Sequence, residues 1–135
     1  MKRFGIFLLA LMFAASLGGS AWAGDTLAEI KKKGVLVVGV KDSAPPFGFI
    51  DEKTREIIGY DVDFCKALAK RLGVKLDIKA VTSATRMPQL IAGNVDLVAA
   101  TMTITAELAK QIDFSYTYFL TGQKFLTKKG SVKKL

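Results

Sequence analysis

Apolar residues change their spacing repeatedly along this chain, and the changes predict strands that alternate with helices. Residues 35–40, VLVVGV, form an unbroken apolar run that is typical of a strand buried on both faces. A short helix is predicted before this strand, over residues 25–33, and a hairpin-like excursion with a charged tip after it, over residues 49–60. Further strands are predicted at VKLDIKAV, VDLVAAT and FLTGQKFLTKK, which are residues 74–81, 95–101 and 119–129.

Residues 60–72 show the clearest helical period in the chain. The apolar stripe of this predicted helix is Val62, Cys65, Ala69 and Leu72, with Phe64 and Leu68 beside it. Its charged residues are expected to face water: Asp61, Asp63, Lys66, Lys70 and Arg71. Residues 82–93 predict another helix, capped by Ser83 or Thr85, and Thr105 is expected to cap a short helix that ends at Gln111. The alternation predicts an α/β fold, a mostly parallel sheet with helices on both faces.

The first 23 residues have the organisation of a secretory signal peptide. Two basic residues precede an uncharged, mostly apolar stretch at residues 4–17, and AWA at residues 21–23 precedes the expected cleavage before Gly24. The apolar stretch is shorter than the roughly 20 residues of a transmembrane helix. We therefore expect an exported, soluble chain from which residues 1–23 are removed.

Composition argues against several classes of function. The formal net charge is +8, but residues 24–123 contain 13 basic and 12 acidic residues, and residues 124–135 alone supply five lysines. Because the excess charge belongs to a tail, no nucleic-acid partner is predicted. The chain has no histidine, the commonest general base and metal ligand. The single cysteine, Cys65, excludes an internal disulfide and is expected to be buried and inert. We predict no catalytic residues, no metal and no cofactor.

Three polar stretches lie at or just beyond the carboxyl ends of predicted strands and are expected to meet at one edge of the sheet. They are KDSAPPF, TSATR and TMT, at residues 41–47, 82–86 and 101–103. Ligands of open parallel sheets bind beyond the carboxyl ends of the strands, and hydroxyl groups, backbone N–H groups and the Arg86 guanidinium suit an anion, especially a carboxylate. Each piece also has a structural alternative. Asp42 and Ser83 can cap a turn and a helix, Arg86 can be a solvated surface residue, and the threonines can be β-branched residues that fill a strand end.

The joint pattern of motifs resembles the periplasmic solute-binding proteins of polar amino-acid ABC importers. The motifs are PPF at 45–47, GYDVD at 59–63, G-x-x-D at 93–96 and DFS-x-x-Y at 113–118, and the similarity runs from about residue 27 to residue 129. It implies a type II periplasmic-binding-protein fold, in which two α/β lobes enclose an amino acid. Residues 24–129 would be the first lobe, and residues 130–135 the start of the crossing toward a second.

The resemblance also implies roles for individual residues. Ser83 and Arg86 match ligand-contacting residues of acidic amino-acid binders, and Thr101 and Thr103 match positions that hydrogen-bond the ligand's α-carboxylate. In the first polar stretch, Lys41 matches a basic residue that faces a side-chain carboxylate, and Phe47 matches a residue that packs near the ligand. Asp42 completes the predicted ligand-binding set.

Two departures from the family pattern bear on binding. After TIT at residues 103–105 the family usually has two residues and then an arginine that grips the α-carboxylate, whereas this chain has Leu108 at that position. Losing a charge-assisted hydrogen bond costs about 1.5–3 kcal/mol, roughly tenfold or more in affinity. The sequence also stops before a second lobe, so the chain is expected to be truncated.

The expected function is capture of a polar amino acid in the periplasm for delivery to an ABC permease in the inner membrane. Glutamate or aspartate is favoured as the ligand, with glutamine as an alternative. Two other interpretations remain: a truncated fragment that does not bind, and an exported enzyme or sensor domain of the same fold. For an enzyme, Lys41 and Asp42 are the acid–base candidates among the three stretches.

Overall fold

The computed structural model describes residues 26–122 and 126–129, so the predicted signal peptide lies outside the described residues. The helices are α1 (Thr26–Lys33), α2 (Tyr60–Leu72) and α3 (Arg86–Ile91). The strands are β1 (Val35–Val40), β2 (Ser43–Ala44), β3 (Gly48–Ile50), β4 (Ile57–Ile58), β5 (Lys75–Ala80) and β6 (Leu97–Ala99). A short 3-10 turn follows at Leu108–Lys110. In this part of the chain, no helix combines the length and the apolar character that a membrane span requires.

The main sheet has three parallel strands in the order β5-β1-β6. Strand β1 pairs with β5 along its whole length, from Val35 opposite Lys75 to Val40 opposite Ala80, and β6 pairs with the last three residues of β1. Both neighbours of β1 are thus reached by crossover connections that contain a helix, as parallel pairing requires. The predicted α/β class with a parallel sheet is confirmed.

The hydrophobic core lies between the main sheet and helix α2. It consists of alternate residues of β1, one stripe of α2 and single residues from α1 and β6: Leu36, Val38, Val40, Val62, Cys65, Ala69, Ile30 and Ala99. Burying one valine side chain contributes roughly 1.5–3 kcal/mol, so this contact makes a large contribution to the stability of the fold. The predicted stripe of α2 is confirmed for Val62, Cys65 and Ala69, whereas Phe64 is 40% exposed.

Asp61 was predicted to face water, and this prediction is wrong, because its side chain is fully buried. The reason is tertiary. The Tyr60 N–H donates to the Pro46 carbonyl (3.0 Å) and the Asp61 N–H donates to the Phe47 carbonyl (2.9 Å), so the segment before β3 covers the first turn of α2. Periodicity within the helix carries no information about that cover. The other charged residues of the helix are exposed as predicted: Asp63, Lys66, Lys70 and Arg71.

The predicted excursion after β1 is a small antiparallel sheet in the order β2-β3-β4. Its charged tip begins at Asp51, whose carboxylate accepts hydrogen bonds from the backbone N–H groups of Lys53 (2.9 Å) and Thr54 (2.7 Å). Both hydrogen bonds lower the pKa of Asp51, and the bond from Thr54 has the larger effect. The excursion returns to the core through Gly59, which has a φ of 131° and directly precedes α2.

The chain divides into two units between Met102 and Thr103, and each is described by itself. In the second unit the predicted helix from Thr105 to Gln111 is only the 3-10 turn, although the Thr105 hydroxyl does accept a hydrogen bond from the Leu108 N–H (3.3 Å). The predicted strand at residues 119–129 is wrong for the part that the structure describes, since residues 119–122 and 126–129 contain no strand.

Cys65 provides a first testable prediction. Burial raises the pKa of the Cys65 thiol to about 12, with a smaller contribution from the charge of Asp61. The neutral thiol is unreactive, so at pH 8 we expect iodoacetamide to alkylate the urea-unfolded chain completely and the native chain hardly at all, as measured by mass spectrometry.

The same thiol has a consequence for stability at high pH. Its pKa in the folded chain lies above the ordinary value of 9.0, so its contribution to stability is complete below about pH 9 and is lost as the pH rises toward 12. The urea midpoint should therefore fall more steeply above pH 9 in the parent than in Cys65→Ala. In the alkylation experiment described above, equal labelling of Cys65 with and without urea would contradict the buried position of the thiol.

Candidate functional site

The three strands of the main sheet end together at one edge. The register places Val40, Ala80 and Ala99 side by side as the last residues of β1, β5 and β6. The Val81 N–H donates to the Val40 carbonyl (2.9 Å), which extends the pairing of β1 and β5 by one step. The residues that follow each strand therefore begin at the same edge, which is what the sequence predicted for the stretches beginning at residues 41, 82 and 101.

Lys41 and Asp42 lead from this edge into the small sheet. Both side chains are half-buried. The Ile50 N–H donates to the Asp42 carbonyl (3.1 Å), so the main chain of Asp42 is held by β3. A Cβ built on Gly48 would overlap the Lys41 carbonyl oxygen, so only glycine at position 48 allows β3 to approach Lys41 this closely. The backbone of the predicted basic residue is thus fixed by its neighbours.

Phe47 lies on the connection between β2 and β3 and is half-buried. Its ring meets the Tyr60 ring edge-on, with centroids 6.3 Å apart and planes at 88°. Such a geometry is favourable for aromatic pairs and contributes about 0.5–1.5 kcal/mol. The pair joins the predicted ligand-packing residue to the first residue of α2.

The stretch at residues 82–86 is a turn that leads into α3. The Thr82 N–H donates to the Thr85 hydroxyl (2.9 Å), and the Thr85 N–H donates to the Thr82 hydroxyl (3.2 Å). Thr85 precedes α3, but its side chain makes no capping hydrogen bond to the helix, so that prediction is wrong. Its hydroxyl is engaged in the turn instead. Ser83 is exposed within the same turn and does not directly precede the helix.

Arg86, the first residue of α3, reaches across to the end of β6. Its Nη1 donates to the Ala100 carbonyl at 2.6 Å and to the Thr101 carbonyl at 3.3 Å. Its Nε is buried and has no hydrogen-bond partner in the described part of the chain. The alternative of a solvated surface residue is therefore wrong for Arg86. The structure thus brings the Arg86 guanidinium into direct contact with the main chain of Thr101.

Thr101 has a backbone conformation that the sequence did not indicate. Its φ is 51°, in the left-handed region that β-branched residues rarely adopt. Such a conformation costs on the order of 1–3 kcal/mol and persists only where the surrounding structure enforces it. The side chain is half-buried. The alternative of a simple strand residue is wrong here, because β6 has ended two residues earlier, at Ala99.

Thr103 and Leu108 belong to the second unit. Thr103 is exposed, and Leu108 is half-buried at the start of the 3-10 turn. The aligned strand ends therefore bring the segments that carry Lys41, Ser83, Arg86 and Thr101 to one edge of the first unit, and Arg86 and Thr101 are in direct contact there. The part of the chain that the structure describes contains no group of three side chains suited to hold a metal ion. Hydroxyl groups beside a guanidinium favour a polar ligand that carries an anionic group.

Comparison with known proteins identifies relatives of this chain. Residues 36–134 match the protein family described as "Bacterial extracellular solute-binding proteins, family 3". An ABC transporter glutamine-binding protein of Bacillus subtilis is 42% identical, over 97% of this chain and 50% of its own length. A glutamate/aspartate import solute-binding protein of Escherichia coli is 35% identical, over 91% of this chain and 44% of its own. The chain thus spans about half the length of these curated relatives.

A solved structure matches the fold. The arginine-bound form of domain 1 from TmArgBP is 44% identical and superposes with a TM-score of 0.65, covering 67% of this chain and 71% of that domain.

Proposed function

The chain belongs to family 3 of the bacterial extracellular solute-binding proteins, and from this premise we propose that its first unit binds one polar amino acid at the carboxyl edge of the sheet. The observation that carries the proposal is the alignment of the ends of β1, β5 and β6, with Arg86 joined to the main chain of Ala100 and Thr101 at that edge. Ligands of open parallel sheets bind at such an edge.

The proposed contacts follow the chemistry of an amino acid. The hydroxyl and backbone N–H groups of Thr101 donate to the α-carboxylate, since hydrogen bonds to a charged group are the strong ones. Ser83 donates from the turn before α3. Lys41 and Asp42 face the polar end of the ligand, and Phe47 packs on its apolar part.

We propose that the ligand is a polar amino acid whose side chain is either uncharged or acidic. The two curated relatives described above are named for glutamine and for glutamate or aspartate. Lys41 places positive charge on the segment that follows β1 at this edge, which favours a ligand with a side-chain oxygen, and glutamate most of all. Glutamine remains the competing ligand, because its amide oxygen accepts the same hydrogen bonds.

A single lobe is proposed to bind without a second one. The relative whose domain 1 has been crystallised alone in an arginine-bound form supports this, because that domain shares the fold and 44% of its aligned residues with this chain. We further propose that residues 1–23 direct export to the periplasm. There the protein delivers its ligand to an ABC permease, in line with the transporter named for the Bacillus subtilis relative. The sequence alternative of an exported enzyme is not proposed, because the residues at the edge are suited to binding.

A thermal-shift panel on the chain without residues 1–23 tests this function. At 1 mM glutamate or glutamine, a site with a dissociation constant of about 0.1 mM stabilises the fold by about 1.4 kcal/mol. For a lobe of this size, that is an upward shift on the order of 5 °C. Arginine and an unrelated anion such as sulfate serve as controls, and a shift as large with sulfate would contradict a specific amino-acid site.

The second candidate function is a lobe that does not bind, and the residue that favours it is Leu108, which has no hydrogen-bond donor in its side chain. Leu108→Arg, measured in the same panel, separates the two candidates. We expect the parent to shift selectively and the variant to shift further, which corresponds to roughly tenfold higher affinity, because the family resemblance implies at this position an arginine that pairs with the α-carboxylate. A shift in the variant alone would support the non-binding lobe.

A further inference from the structure

The hydrogen bonds of Arg86 assign it a different role from a direct grip on the ligand. We propose that Arg86 is a positioning residue, which holds Thr101 in its left-handed backbone conformation and so presents Thr101 to the ligand. This inference deepens the proposed function. It rests on that function only in the binding experiment below, and the NMR experiment is independent of it.

The first step is the state of the guanidinium donors. Nη1 carries two protons, and it makes two contacts, to the Ala100 carbonyl at 2.6 Å and to the Thr101 carbonyl at 3.3 Å. Nε is buried, out of reach of solvent and therefore of a ligand that arrives from solvent. A bidentate grip on a carboxylate uses two neighbouring nitrogens of the guanidinium, and each such pair includes Nη1 or Nε or both. Arg86 therefore has no free bidentate side for a ligand carboxylate.

The second step is the strain at the residue that Arg86 holds. Thr101 has a φ of 51°, which is unfavourable for a β-branched residue because Cβ approaches the main chain. The two carbonyls that accept from Arg86 lie on either side of the Thr101 φ and ψ bonds, at Ala100 and Thr101. A charged donor that bridges two successive carbonyls fixes the rotation between them, and hydrogen bonds to charged groups are strong enough to offset the strain.

The third step is the consequence for binding. Without Arg86, Thr101 relaxes toward a negative φ, and only the minor left-handed population binds. Apparent affinity falls in proportion to that population. The loss is the same for every ligand that uses Thr101, whatever its side chain. A glycine at position 101 adopts a positive φ without strain, so the hydrogen bonds from Arg86 are no longer needed to hold that conformation.

The first experiment needs no ligand and so is independent of the proposed function. The φ of residue 101 is measured by NMR, from backbone chemical shifts and coupling constants, in the parent, Arg86→Gln and Arg86→Lys. We expect a positive φ in the parent, a negative φ in Arg86→Gln and an intermediate average in Arg86→Lys, which keeps the charge and a single nitrogen donor. If Thr101 keeps its positive φ in a folded Arg86→Gln or Arg86→Lys variant, the proposal is overturned.

The second experiment is a double-mutant cycle on binding, with glutamate and glutamine titrated calorimetrically. Arg86→Gln is expected to weaken both ligands equally, by about tenfold in the parent background and by no more than about threefold in the Thr101→Gly background. An equal loss in both backgrounds, or a loss confined to glutamate, would show that Arg86 contacts the ligand directly and would overturn the proposal. If the parent binds neither ligand, the proposed function fails, while the NMR experiment still decides the role of Arg86.

Discussion

Gly59→Ala is expected to cost about 3 kcal/mol or more of folding stability, a large share of the 5–15 kcal/mol typical of a small domain. Two costs combine at this position. The backbone has a φ of 131° and a ψ of −178°, a region occupied almost only by glycine, and a side chain there costs on the order of 1–3 kcal/mol. A Cβ would also overlap the Phe47 carbonyl oxygen and lie 2.7 Å from the Pro46 carbonyl oxygen. Urea denaturation followed by circular dichroism measures the loss.

Gly73→Ala is the matched control for this prediction. Gly73 ends the same helix, α2, with a φ of 71°, and a Cβ built there has no atom within 4 Å outside its chain neighbours. Its replacement should therefore cost only the backbone term, about 1 kcal/mol. The difference between the two variants reports the close approach of the segment that carries Phe47 together with the greater backbone strain at Gly59. Equal losses would show that this approach contributes nothing to stability.

The elements of the main sheet were predictable because burial leaves a direct record in the residue pattern. The continuous apolar run of β1 and the 3.6-residue period of α2 both appear in the structure within a residue of their predicted bounds. The shared edge of the sheet could then be predicted as well, because the carboxyl ends of parallel strands lie on the same side of a sheet. Local patterns failed where the deciding contact came from a distant segment, as at Asp61, which the connection before β3 covers.

The candidate site was predictable as a set of segments, but its hydrogen bonds were not. The sequence placed Arg86 and Thr101 at one edge because each follows a strand. The choice of the Ala100 and Thr101 carbonyls as partners of Arg86 depends on side-chain geometry that spacing does not encode. The left-handed conformation of Thr101 gave no signal either, because glycine or asparagine is the usual mark of a positive φ. Such conflicts between local preference and global fold are typical of functional positions.

Asp96, the last residue of the G-x-x-D motif at 93–96, fixes the start of β6 against β1. Its carboxylate accepts a hydrogen bond from the Val37 N–H (2.8 Å) and two contacts of 2.7 Å from Lys33 Nζ, at the end of α1. Its own N–H donates to the Val37 carbonyl (2.8 Å). One side chain thus joins α1, β1 and β6. Because the register of β6 determines where Ala100 and Thr101 emerge at the edge, this contact connects the motif to the site.

Asp96→Ala is accordingly expected to destabilise the lobe by about 2–3 kcal/mol, since it leaves the Val37 N–H in a partly buried position without its acceptor. Two variants separate the contributions. Asp96→Asn keeps an oxygen acceptor for Val37 and should cost about half as much. Lys33→Ala removes only an ion pair whose lysine side chain is 42% exposed, and should cost at most about 1 kcal/mol. Urea midpoints at low and high salt measure all three, and only the Lys33 contribution should weaken as salt screens it. If Lys33→Ala proved as costly as Asp96→Ala, the ion pair rather than the bond to Val37 would hold β6 in register.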